Sequence, residues 1–193
     1  MTLYGTALFL HIVFAIALVG GTVWLHVAGE FVKRSSTVAE ARAHARFLAG
    51  SNKAMMPIAV LVLVPALYLA FAGDWWGKGW PVVSLVLFAA TGALAGSIVD
   101  PGVARLMETL DGTPDGPMTP EIGRSLADPK LTLTLWAMAG ADLAIVALMT
   151  NKPGYVGAVT VGLVGVVVGA AVGVRENRHV GAPADPAAGA ATA

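Results

Sequence analysis

Apolar and polar positions along this chain fall into long apolar runs separated by short polar stretches. Five runs are long enough to cross a hydrocarbon core, which takes about 20 mostly apolar residues. They cover residues 3–28, 54–72, 81–99, 131–150 and 155–174, and the first contains no Asp, Glu, Lys or Arg. Lipid offers no partner for a bare N–H or C=O, so each run is expected to be a helix. The predicted fold is all-α: a polytopic transmembrane bundle of five spans over residues 1–176. Residues 177–193, rich in Ala, Pro and Gly toward their end, are expected to form a disordered tail. The start, Met1-Thr2-Leu3-Tyr4, lacks the basic residues of a secretory leader, so the first run is expected to stay as a span.

The loops between the runs carry most of the charge. Of the 12 Lys and Arg, ten fall in residues 29–53, in 100–130 and after residue 174, and only Lys78 and Lys152 fall on the other side. Under the positive-inside rule this predicts an outer N-terminus, a cytoplasmic C-terminus and a bacterial cytoplasmic membrane. Trp75, Trp76 and Trp80 in the short outer loop suit anchoring at the membrane interface. Thr37-Val38-Ala39-Glu40 reads as a capping box opening a short surface helix with Gly50 as its stop. Arg42 and Arg46, one turn apart on it, are expected near anionic headgroups. A second short helix is expected over residues 103–110, then a mobile turn over 111–117. Thr119-Pro120 and Asp128-Pro129 each pair an N-cap with Pro at the first helical position.

Composition narrows the function classes. The chain is 56% hydrophobic and 12% charged, with equal numbers of acidic and basic residues. There is no basic field for phosphates, so no nucleic-acid partner is expected. With no cysteine there is no disulfide, thiolate nucleophile or sulfur-ligated metal site. No nucleophile–base set, phosphate loop or zinc spacing appears, and no catalytic residue is assigned.

The candidate chemistry lies inside the spans, where an ionisable side chain is costly. His11 and Asp142 each lie eight residues from the outer end of their run, about 12 Å deep. Pro65 falls at nearly the same level and frees the carbonyl of Leu61. Tyr4, His11, Thr22 and His26 share one stripe of the first run; Thr134, Met138, Asp142, Ile145 and Met149 share a face of the fourth. A polar site built from His11, Asp142, Tyr4 and Pro65, with His11 paired to Asp142, is therefore expected. His26 is expected to pair with Glu30. His11 with Met138 or Asp142 could ligate haem b or copper, although no cofactor is predicted outright. Gly92 and Gly96 in the third run, and Gly165, Gly169 and Gly173 in the fifth, are small-residue faces. They suit packing within the bundle or contact with another subunit or a second copy.

Leu10-His11-x-x-x-Ala15-x-x-x-x-Gly20-Gly21 and the close of the fourth run, Ala147-Leu148-Met149-Thr150-Asn151-Lys152-Pro153, together resemble a family of predicted integral membrane proteins, domain of unknown function family 2269. That resemblance covers residues 3 to 153 and implies a four-span bundle without an assigned activity. The opening is also similar to the copper-resistance D membrane family and to bacterial haem-dependent protoporphyrinogen oxidase; the latter resemblance implies His11 as a haem ligand. Three readings follow: a non-enzymatic accessory, assembly or scaffold subunit of a membrane complex, a haem- or copper-binding redox protein using His11, and a proton- or ion-coupled transporter component using His11 and Asp142.

Overall fold

The computed structural model describes residues 2–180, with side chains through Arg178. The helices are α1 (Leu3–Lys33), α2 (Val38–Ala72), α3 (Gly79–Leu94), α4 (Asp100–Asp111), α5 (Pro120–Leu126), α6 (Pro129–Asn151) and α7 (Tyr155–Val180). Five helical stretches are long and apolar enough to cross a membrane, with α3 and α4 counted as one stretch, Gly79–Asp111. The outward faces are apolar, as on α1 at Phe9 and Ile16 and on α7 at Val156 and Val167. This is a multi-pass integral membrane protein and an all-α bundle.

Two short helices expected beside the membrane are extensions of spans. The helix opened by Thr37 does not stop at Gly50 but runs on to Ala72. Gly50 meets nothing within 4 Å and adopts no left-handed turn, so the helix has no reason to end there. Thr37 does cap this helix, accepting from the N–H of Glu40 at 3.2 Å. The helix expected over 103–110 is likewise continuous with the third span, joined through one π-turn at Ala95–Val99. The first span extends to Lys33, and α7 continues through Val180, four residues into the expected tail. The rest of that tail lies outside the described residues.

α1 and α2 form one antiparallel hairpin and α6 and α7 another, with α3 against the second pair. At the end rich in Lys and Arg, termed the basic end, Val32, Val38, Ala41, Ala45 and Leu110 close a small core under α4 and α5. The segment expected to be a mobile turn is tied into this cap. Val38 N–H donates to Gly116 O and Met118 N–H to Ser36 O. Arg42 is 18% exposed and, rather than reaching toward lipid, donates to the carbonyls of Leu110 and Thr113 and pairs with Asp115 at 2.6 Å. Arg46 meets Asp111 at 3.5 Å.

The α6–α7 seam is set by glycine. A methyl group at Gly140 would overlap the Gly165 carbonyl, and one at Gly169 would overlap the Trp136 carbonyl. Backbones in that contact leave room only for hydrogen at these Cα positions. The face Gly165, Gly169 and Gly173 is therefore consumed inside the chain and is not a surface for a partner. Gly92 and Gly96 have nothing within 4 Å. The small-residue face of the third span, Gly92 in α3 and Gly96 in the π-turn after it, is therefore uncovered among the described residues.

Candidate functional site

The intramembrane polar groups do not pair as their depths suggested. Asp142 accepts a hydrogen bond from the hydroxyl of Thr22 at 2.8 Å. His11 lies eleven residues away along α1, about 16 Å, and its Nδ1 meets the carbonyl of Val62 on α2 at 3.2 Å. The reason is length. α1 has 31 residues and α6 has 23, so equal distances from their ends are not equal levels in the bundle. Tyr4 lies toward the far end of α1, 37% exposed. Pro65 is one turn from Val62 on α2, so His11 engages backbone close to the carbonyl that Pro65 frees.

Thr22 is the pivot of the site. It is 7% exposed, and its hydroxyl lies 3.2 Å from the Leu18 carbonyl as well as 2.8 Å from Asp142. A hydroxyl has one hydrogen and cannot donate to both. With Asp142 ionised, Thr22 donates to it. With Asp142 protonated, the carboxyl can donate to Thr22, which turns its own hydrogen to Leu18. Both protonation states of the acid thus keep their hydrogen bonds without any helix moving.

A polar seam leads from this pair to the basic end. His26 stands one turn beyond Thr22, and its Nδ1 meets the Thr22 carbonyl at 2.9 Å. That carbonyl can only accept, so Nδ1 carries the hydrogen. Nε2 is buried and has no hydrogen-bond partner among the described residues. The imidazole packs on Trp136, ring centres 4.5 Å apart. Trp136 Nε1–H donates to Glu176 at 2.8 Å, and Lys33 bridges Glu176 at 2.6 Å and Glu30 at 2.8 Å. Glu30 is thus paired with Lys33, with Arg34 at 3.6 Å, and not with His26 as expected. The seam draws on α1, α6 and α7, so no single stretch of sequence displays it. Thr22 and His26 are visible in the polar stripe of α1; the parts of Trp136 and Glu176 are not.

The pair proposed for haem or copper is not assembled. Met138 lies on α6 on the basic side of Asp142, so it is farther from the level of His11 than Asp142 is. The helix segment facing His11, residues 58–69 of α2, contains neither His nor Met. No group of three His, Cys, Asp or Glu side chains able to hold a metal occurs among the described residues. Neither Met138 nor residues 58–69 of α2 thus offers His11 a second haem ligand within the chain.

Of the three tryptophans at the opposite end, Trp80 is not an interface anchor. It is 5% exposed and packs in a core with Leu148 and Ala158. Trp75 lies 5.0 Å from it, and Trp76 lies on Phe71 with 38% of its surface free.

No curated protein and no solved structure matches the chain. Residues 6–153, from within α1 to just beyond α6, match the family described as "Predicted integral membrane protein (DUF2269)", so α7 and the glycine face that meets α6 lie outside the matched region. With that match covering most of the chain, this protein belongs to the DUF2269 family of predicted integral membrane proteins.

Proposed function

We propose that this protein is a proton-coupled transport component of the bacterial cytoplasmic membrane, in which Asp142 takes up and releases the proton. Thr22 is the switch that serves both states of the acid, and His26, Trp136 and Glu176 form the approach from the basic end. The asymmetry of Lys and Arg makes that end cytoplasmic in this reading. The observation that carries it is the Thr22 hydroxyl, poised between the Leu18 carbonyl and the Asp142 carboxyl within α6. An acid at that depth is costly to place, which makes it a functional-site candidate. From Leu143 to Met149, α6 carries no ionisable side chain, so one copy provides half of a pathway. A second copy of the chain would complete it, and the purified chain can supply that copy.

The accessory or scaffold reading has less support, because its motivating surface on α7 is filled by α6. Reconstitution tests the choice. Purified chain in liposomes holding an internal pH dye, under an imposed potassium diffusion potential, should acidify the lumen. Asp142→Asn should reduce the rate to that of empty liposomes, and Thr22→Val should slow it. Equal rates for wild type and Asp142→Asn refute the proposal.

A further inference from the structure

The end of the bundle opposite the basic end carries a cavity of about 410 Å3 between the α2–α3 connector and the α6–α7 turn. Trp75, Lys78, Trp80, Lys152, Pro153 and Tyr155 line it. Its walls are fixed by backbone. Asp74 and Lys152 are the two non-glycine residues with positive φ among the described residues, 50° and 49°, and each folds its connector back. A methyl group at Gly79 would overlap the Tyr155 backbone, so the starts of α3 and α7 touch. Trp75 and Trp80, 5.0 Å apart, form an aromatic wall, and the Lys152 ammonium lies 5.8 Å from the centre of the Trp80 ring.

The charge of this cavity is unbalanced. Lys78 and Lys152 both line it, and neither makes an ion pair among the described residues. Asp74, the acid of the same connector, pairs with neither. Lys78 precedes α3 without a side-chain cap, so partial positive charge at that helix start adds to the two ammonium groups. An aromatic wall with Lys152 over one ring, beside a second lysine that makes no ion pair among the described residues, suits an anionic group attached to an apolar body. We propose that this cavity binds a phosphate group, with the headgroup of an anionic phospholipid as its source. Lys152 and Lys78 neutralise the phosphodiester, and the tryptophan wall covers the glycerol and the first methylenes. A choline headgroup would bring a third cation to the two lysines and is disfavoured.

The test uses the full chain in mild detergent. Retained lipid is read by native mass spectrometry and binding by tryptophan fluorescence. The additions are phosphatidylglycerol, phosphatidylcholine and sodium phosphate. Phosphatidylglycerol should be retained one per chain and saturate, while phosphatidylcholine should not. Lys152→Gln should weaken binding on the order of tenfold, the loss of one charge-assisted hydrogen bond. Lys152→Arg should restore it, and Lys78→Gln, on the other connector, should weaken it independently. Equal retention of the two lipids, or unchanged binding in both Gln variants, overturns the proposal. Displacement of the lipid by millimolar inorganic phosphate would overturn the lipid source and assign the cavity to free phosphate. Asp142→Asn should bind as wild type, which separates this site from the proton site.

Discussion

Replacing Gly140 by Ala tests the packing on which the polar seam rests. An added methyl would overlap the Gly165 carbonyl and lie 3.1 Å from the Gly169 Cα. These are backbone atoms, so no side chain can swing aside and α6 must move away from α7. Overpacking of this kind costs about 1–3 kcal/mol, and backbone opposition puts the site at the upper end of that range. Ala recovers about 1 kcal/mol through its better helix propensity. The net loss is then about 2 kcal/mol, or about 4–8 °C in Tm for a chain of this size. Gly92→Ala is the control, because nothing lies within 4 Å of Gly92. It keeps the propensity gain and should raise Tm by about 2–4 °C. Thermal unfolding of the full chain in one detergent, followed by tryptophan fluorescence, measures both. Gly140→Ala melting with or above Gly92→Ala would show that α6 and α7 are not in backbone contact. The glycine face of α7 would then be free for a partner, and the accessory-subunit reading would regain its basis.

Arg42→Lys should destabilise by about 1.5–3 kcal/mol, because an ammonium cannot reproduce the planar donation to Leu110, Thr113 and Asp115. Arg46→Ala should stay within about 0.5 kcal/mol in the same melt. Asp128 caps α6 through the N–H of Leu131 at 2.9 Å. Burial works against its ionised form but is outweighed by that N–H and by Arg105, so the carboxyl is held below the usual range. A lowered folded-state pKa means the stabilisation is present above the unfolded value of about 3.9 and is lost as pH falls through the folded one. Wild type should therefore lose more Tm than Asp128→Asn between pH 6 and pH 3, and parallel losses would count against the pairing. Trp136→Phe keeps a ring against His26 but removes the donor to Glu176. It should slow proton entry in the liposome assay without abolishing it.

The five crossings were legible because each apolar run is about as long as the hydrocarbon is thick. Helix ends were not. Hydropathy falls where a helix leaves lipid, but the hydrogen bonds of α2 continue through Ala49-Gly50-Ser51-Asn52 without interruption. The capping residues fared better, since an N-cap acts on its own first turn. Thr37, Thr119 and Asp128 each accept the N–H three residues on. Arg42 shows the opposite case: its carbonyl acceptors lie 68 and 71 residues away, and nothing in its own helix identifies them.

The acid at the centre of the site shows where such reading ends. Asp142 stands out in any pass along the chain, and so does the polar stripe of α1. What could not be read is the register between them, because a depth counted from a helix end assumes that both ends lie in one plane. α1 outruns α6 by eight residues, about 12 Å of helix. That offset exchanges His11 for Thr22 as the partner. It also changes the chemistry, since an imidazole would pin the carboxylate with a charge, whereas a hydroxyl can either donate to it or accept from it. The same offset places His26 against Trp136, within one bond of Glu176, and so connects the acid to the basic end of the bundle. A proton bound at mid-membrane is useful only if it can be exchanged with one side at a time. In the proposed reading the seam leads from Asp142 toward the basic end, while on α6 itself residues 143–149 beyond the acid carry no ionisable side chain.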